Sequence, residues 1–275
     1  MRGMTSPQQD QPQPTPAPSE GVIQVQHEGR TYQIFHPNVG KTAQYLRELL
    51  QGGEYPLLPL PGYEPATIVD IGANVGGAAL RFHCAYPKAR VLAYEPSAVN
   101  FGFLRRNLGS EPGVSVFGYG LSDKAEQLKL YRGADTLMQN SVLRNEQTSD
   151  EFELVELKRA SDEFRRQAIE RVDILKVDTE GCEFVILADL EPWLDKTDII
   201  YLEYHHEDDR LDIDRLLSKH FALAWSQTPH LHRGISMYLS YDLQRRYPQL
   251  GGRTRKHSRF TYRKPQARDS SSPAT

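Results

Sequence analysis

Residues 69–82 read VDIGANVGGAALRF. The β-branched run Thr67, Ile68, Val69 closes at Asp70, two glycines and an asparagine follow, and the small residues Ala78 and Ala79 open a helical stretch that runs to about Tyr86. The direct reading is a strand, a tight turn and a helix. Such a turn gathers free backbone N–H groups and the positive end of the helix dipole in one place, which suits an anionic or polar ligand.

Outward from this unit, the same alternation repeats. VLAYE at 91–95 predicts a second strand, VNFGFLRRNL at 99–108 a second helix and VSVFGYG at 114–120 a third strand. After a polar insertion, SDEFRRQAIE at 161–170 predicts a helix, DILKVD at 173–178 a buried strand, CEFVILADL at 182–190 a helix and IIYLEY at 199–204 another strand. The stretches FALAWSQ near 221–227 and SMYLS near 236–240 read as two strands with no helix between them. Ahead of the alternation, VIQVQHEGRTYQIF at 22–35 predicts a β-hairpin turning at Glu28-Gly29, and 42–51 a helix stopped by Gly52. The expectation is an α/β fold: a mostly parallel sheet with helices on both faces and an antiparallel C-terminal pair.

Composition sets the frame. The chain has 275 residues, 39% of them hydrophobic, enough for one domain with a full core. Residues 1–20, with five prolines and four glutamines, predict a disordered tail; 21–250 predict the folded domain; 251–275 predict a second, basic tail with seven Lys or Arg against one Asp. Without that tail the net charge of −3 becomes about −9. Cys84 and Cys182 are too few and too isolated for a disulfide framework or a zinc site. No secretory signal and no membrane span are read, so a cytoplasmic location is expected.

Ligands of such sheets bind beyond the carboxyl ends of the strands. The residues there are Asp70 to Gly76, Glu95, Gly120 to Asp123, Asp178 to Glu183 and Glu203 to Glu207, each of these five sets carrying a carboxylate. In the dinucleotide fingerprint GxGxxG the second glycine lets the backbone reach a pyrophosphate. Here the string is Gly72-Ala73-Asn74-Val75-Gly76-Gly77, with Asn74 at that place, and Asp70 ahead of it would repel a phosphate but attract an ammonium. Glu95, 25 residues on, can accept hydrogen bonds from both hydroxyls of a ribose. An amino acid at one end and a ribose at the other describe S-adenosylmethionine.

IVDIGANVGGAALRF, YEPSAVNFGFLRRNL, GLSDKAEQLKL and above all DILKVDTEGCEFVIL are similar to the FkbM family of S-adenosylmethionine-dependent methyltransferases over about residues 40–240. The first motif is shared by many methyltransferases; KVDTEGCE at this distance from it is far more specific. The resemblance implies a seven-stranded class I (Rossmann-like) methyltransferase fold and O-methylation of sugars, glycans or natural products. Carried over residue by residue, it implies Asp70, Gly72, Ala73, Asn74 and Gly76 as the cofactor turn, Glu95 as the ribose clamp, and Ser122 and Asp123 near the adenine. Cys182 stands where a small residue, often alanine, is expected.

Methyl transfer to an alcohol requires alignment of the nucleophile and removal of its proton. The candidates at the ends of the strands 173–178 and 199–204 are Asp178, Glu180, Glu203, His205 and His206. The expectation is that Asp178 and Glu180 line the junction of cofactor and acceptor, while His205 or His206 accepts the proton. Asp178, Glu203 and His205 also offer hard oxygen and imidazole ligands, but their spacing is not diagnostic and no metal is assigned. The acceptor expected is a small molecule or glycan. The alternatives are an RNA methyltransferase whose basic tail holds the substrate, which the acidic body disfavours, and a non-catalytic binding module on the same fold. The sequence names neither the acceptor nor the oligomeric state.

Overall fold

The computed structural model describes residues 19–133 and 148–250. Most of the insertion 132–150 and nearly all of both expected tails lie outside these residues, and the domain boundaries remain a proposal. A hairpin of β1 (Glu20–His27) and β2 (Arg30–Pro37) turns at Glu28-Gly29, both at positive φ. Helix α1 (Thr42–Leu50) follows, then the alternation: β3 (Thr67–Ile71), α2 (Gly77–Ala85), β4 (Arg90–Tyr94), α3 (Ala98–Leu108) and β5 (Val114–Phe117). Next come β6 (Gly120–Ser122), β7 (Glu126–Gly133), β8 (Thr148–Arg159) and α4 (Ala160–Arg166). The chain continues with β9 (Val172–Val177), α5 (Glu183–Asp189), α6 (Glu191–Leu194), β10 (Thr197–Tyr204), α7 (Glu207–Leu217), β11 (Phe221–His230), β12 (Arg233–Ser240) and α8 (Tyr241–Arg246).

The main sheet has seven strands in the order β11-β12-β10-β9-β3-β4-β5. β10, β9, β3, β4 and β5 are parallel, and β12 runs against both of its neighbours. This is the class I methyltransferase sheet expected from the sequence. Alternate residues of each strand enter opposite cores: Ile68, Ile174, Ile199 and Tyr201 one, Val69, Leu175, Ile200 and Leu202 the other. Both faces are therefore dry, which is why these strands read as continuous apolar runs. The chain leaves β3 for β4 on one side and places β9 on the other, so β3 and β9 flank the point where strand order reverses, the usual ligand crevice of an open α/β sheet.

Three elements differ from expectation. The strand expected over 114–120 is two strands in different sheets: β6 pairs parallel with β8, and a Cβ on Gly120 would come 2.5 Å from the Leu157 side chain. That three-stranded sheet, β6-β8-β7, occupies part of what reads as a polar insertion. The helix expected over 161–170 ends at Arg166, because Ala168 takes a positive φ of 51°. Helix α7 is unanticipated, since its surface is a ladder of Arg210 and Arg215 pairs with Glu207, Asp212 and Asp214, and Ile213 and Leu217 are its buried positions.

Asn107 of α3 fastens the hairpin to the turn after β3. Asn107 accepts from the Phe35 N–H (2.9 Å) and donates to the carbonyls of Phe35 (2.9 Å) and Val75 (2.8 Å). Replacing it with alanine strands these three backbone groups, and urea unfolding is expected to show a loss of about 2 to 3 kcal/mol.

Candidate functional site

The turn after β3 is built on left-handed backbone. Gly72 (φ 83°), Asn74 (φ 52°) and Gly76 (φ 94°) alternate with ordinary residues, and Gly76 caps α2. Gly72 has a second reason to be glycine: a Cβ there would fall 1.7 Å from the Asp178 carbonyl oxygen. The turns after β3 and β9 are thus in backbone contact across the switch point. Asn74 folds its own Oδ1 onto the Val75 N–H at 2.8 Å, which supports the strained turn.

Glu95, one residue past β4, closes the far end. It is buried, its Oε2 accepting from the Asn74 N–H (2.8 Å) and its Oε1 from the Ser97 N–H (2.9 Å). Burial pushes its carboxyl up to about 7 against the pull of those two amides. A cavity of about 60 Å³ lies here, lined among others by Gly72, Asn74, Glu95, Leu130, Leu157 and Asp178. The β7 and β8 leucines therefore wall the expected ribose side. Ser122 and Asp123 lie next to this lining and hydrogen-bond to each other at 3.1 Å, while Gly120 and Leu121 form the wall itself.

A second cavity, about 740 Å³, opens on the other side of the same turn. α1 supplies Gln44, Tyr45 and Glu48, the turn supplies Gly72 to Val75, and the strand ends supply Lys176, Asp178, Glu180, Glu203 and Arg233. Asp178 and Glu180 border both cavities, as do Gly72 and Asn74. α1 is split in its duties: Tyr45, Leu46 and Leu49 all reach the cavity, and Leu46 and Leu49 also pack on Gly77.

Lys176 organises the floor. It is 2% exposed, and its Nζ lies 3.0 Å from Asp70 Oδ1, 2.9 Å from the Gly72 carbonyl and 3.3 Å from Asp178 Oδ2. Burial opposes its charge, but Asp70 and Asp178 outweigh burial and raise the ammonium above its usual range. Asp70 is fully buried and lines neither cavity; the ammonium it meets is the chain's own, so the expected ligand contact is replaced by a structural pair. Burial raises Asp70, whereas Asp178 stays below its usual range because Lys176 and then His205 overcome the same penalty. Asp178 Oδ2 also accepts from the buried Tyr55 hydroxyl at 3.0 Å. Nothing in EYP at 54–56 marks Tyr55 as a site residue, apart from a tyrosine ahead of a proline.

The loop Asp178 to Cys182 is held by Glu183. Its Oε1 accepts from the Thr179 N–H (2.9 Å) and hydroxyl (3.2 Å), and its Oε2 from the Gly181 N–H (3.1 Å). Glu183 thus holds the loop amides ahead of α5, and Glu180 takes a positive φ of 56° and lines both cavities.

The histidines need correction. His205 is wedged among acids, 3.0 Å from Glu180 Oε2, 3.3 Å from Glu183 Oε1 and 3.6 Å from Glu203 Oε1. Burial would lower it, yet Glu180 and Glu183 overrule burial and raise it to about 11. Its two ring nitrogens face Glu180 and Glu183, and it lines neither cavity. His206 is exposed at the N-terminus of α7 and lines neither cavity. Glu203 differs: burial and Asp178 push it up to about 8 despite His205 and Arg233.

Among the described residues, the ligand atoms of Asp178, Glu203 and His205 lie within 4.8 Å of one another. The chain's own groups already engage them: Lys176 on Asp178, Arg233 on Glu203 at 2.8 Å, and Glu180 and Glu183 on the two ring nitrogens of His205. No metal is assigned to the cluster.

Residues 70–241 match the family described as the Methyltransferase FkbM domain. The methyltransferase sdnD of Sordaria araneosa is 37% identical over 46% of this chain and 61% of its own length. Methyltransferase 1 of Beauveria bassiana is 30% identical over 67% of this chain and 83% of its own length. The 2-O-methyltransferase NoeI of Sinorhizobium fredii is 25% identical over 51% and 64% respectively. The chain spans less than two thirds of the first and third of these relatives.

Two outcomes follow from the geometry. Lys176→Met leaves Asp70 and Asp178 as buried charges without a partner, and denaturant titration is expected to show a loss of about 3 to 5 kcal/mol, part of it recovered by adding Asp70→Asn. Glu203 and His205 each bind a proton more tightly folded than unfolded, so stability must fall with rising pH, Glu203 acting between 4.5 and about 8 and His205 between 6.5 and about 11. Melting curves from pH 5 to 10 are expected to show this decline, with a shallower slope above pH 7 in His205→Gln.

Proposed function

This chain belongs to the FkbM methyltransferase family, and from that premise we propose that it transfers a methyl group from S-adenosylmethionine to a hydroxyl of a sugar, glycan or related natural product. The observation that carries the reading is the meeting of two unlike cavities at Asp178 and Glu180, one ending on Glu95 and the other walled by acids and by the polar side of α1. Gly72 and Asn74, both at positive φ, border the two cavities, so a ligand there would lie against the backbone of the turn.

When bound, the cofactor supplies a methyl carbon on a positively charged sulfur, open to in-line displacement. The chain provides the surroundings. Glu95 offers the ribose hydroxyls its two oxygens, exchanging its grip on the Asn74 and Ser97 amides for them. Asp178 and Glu180 present negative charge at the junction. Around Lys176, His205 and Arg233 stand Asp70, Asp178, Glu180, Glu183 and Glu203, five carboxyls to three cations, a surplus that a sulfonium relieves. Tyr45, Gln44, Glu48 and Arg233 give the larger cavity hydrogen-bonding walls, which fit a polyhydroxylated acceptor better than an apolar one. The name of the Sinorhizobium relative, a 2-O-methyltransferase, agrees with transfer to oxygen.

Calorimetry with the full chain is expected to show S-adenosylmethionine binding, weakened about 10- to 100-fold in Glu95→Ala by loss of charged hydrogen bonds. Incubation of metabolite extracts with cofactor carrying a 13C methyl is expected to yield a product whose methyl carbon resonates as a methyl ether. No binding at saturating cofactor, or label appearing solely on nitrogen or sulfur, would overturn the reading.

A further inference from the structure

We infer that Glu203 is the proton acceptor of the transfer, its Oε1 anchored by Arg233 and its Oε2 directed to the acceptor hydroxyl. The inference rests on the methyl-transfer reading and assigns a role within it that sequence reasoning gave to the neighbouring histidines.

The division of labour between the two oxygens is the first ground. Arg233 places both Nε (2.9 Å) and a terminal nitrogen (2.8 Å) on Oε1, and the His205 contact at 3.6 Å also falls on Oε1. Oε2 accepts none of the hydrogen bonds found among the described residues. A carboxyl pinned by one oxygen has a fixed orientation, with the other oxygen available to a reactant.

Place is the second ground. Glu203 lies at the C-terminal end of β10 beside Asp178, on the wall of the larger cavity, and its register partner Ile235 belongs to the strand that Arg233 opens. Its neighbours cannot do the same work. Asp178 is engaged by Lys176 and Tyr55, and both ring nitrogens of His205 face carboxylates.

Charge is the third. The groups facing Glu203 are Asp178 and Glu180 from the β9 end, His205 just past the end of β10, Arg233 from β12, and Tyr45 and Tyr55 from α1 and the segment after it. Burial and Asp178 raise its affinity for a proton, and Arg233 and His205 keep the ionised form accessible. A carboxyl poised near 8 is a far better base than one near 4.5. In the step, the hydroxyl oxygen bonds to the methyl carbon, the carbon–sulfur bond breaks with its electron pair leaving on sulfur as a thioether, and the hydroxyl proton passes to Glu203 Oε2 and then to water.

The test is a pH profile of kcat with the acceptor identified by the labelling screen, run on wild type, E203Q and E203D. Wild type is expected to rise through a limb near pH 8 and level off. E203Q is expected to lose about 10²- to 10⁴-fold in kcat together with that limb, a far larger change than any in its calorimetric affinity for S-adenosylmethionine. E203D should keep the limb at a reduced plateau. As a check that needs neither variant nor acceptor, NMR of protein 13C-labelled at glutamate Cδ is expected to show a carboxyl titrating near pH 8. An E203Q profile that retains the limb, a limb near pH 11, or no glutamate titrating between pH 7 and 9 would overturn the assignment. Wild type that fails to bind the cofactor would instead sink the methyl-transfer reading.

Discussion

The candidate site hangs on one ammonium group. Lys176 Nζ ties together Asp70 from the end of β3, the Gly72 carbonyl from the turn that follows and Asp178 from the end of β9. These strands are neighbours in the sheet but are separated by about a hundred residues of chain, and no covalent feature aligns their ends. A lysine sealed from water keeps its charge here because two carboxylates and a carbonyl replace its hydration shell. The same contacts fix how closely the two turns approach, and that approach leaves no room for a Cβ on Gly72.

Around this fixed charge the remaining acids sort themselves by partner. Asp178 sits against Lys176 and stays ionised; Glu183 is spent on the amides of its own loop and on His205; Glu203, buried and facing Asp178, is driven upward, as burial drives Asp70. Like charges in a shared dry site cannot all ionise at their ordinary values, so the cluster separates groups of similar chemistry into different roles. His205 follows the same rule with opposite sign. An imidazole that looks like a base in sequence becomes a counter-ion when carboxylates approach it from several sides.

The additions to the central sheet shape the cavities more than the sheet does. Leu130 and Leu157, from the three-stranded β6-β8-β7 unit, close over the Glu95 side, while α1 and the segment through Tyr55 close over the acidic side. Arg81 holds that segment in place by donating to the carbonyls of Glu54 (2.7 Å) and Tyr55 (2.6 Å). The 60 Å³ pocket and the 740 Å³ cavity are thus walled by different appendages, although they share one turn.

The sequence by itself determined the central alternation and the special turn. Apolar runs at Thr67–Ile71, Val172–Val177 and Thr197–Tyr204 are buried on both faces, and Gly72, Asn74 and Gly76 occupy the backbone conformations their types permit. Those are local properties, carried by hydrophobic period and by φ. Helix α7 escaped because ion pairs along the surface support it more than an apolar stripe does, and β6 to β8 escaped because a partly polar sheet has a weak pattern. Which acid sits beside which cation was decided solely by tertiary structure. Asp70 and His205 carry the right chemistry for a ligand contact and a base, but the fold gives one to Lys176 and surrounds the other with carboxylates, and proton affinity depends on neighbours that the linear order of residues does not specify.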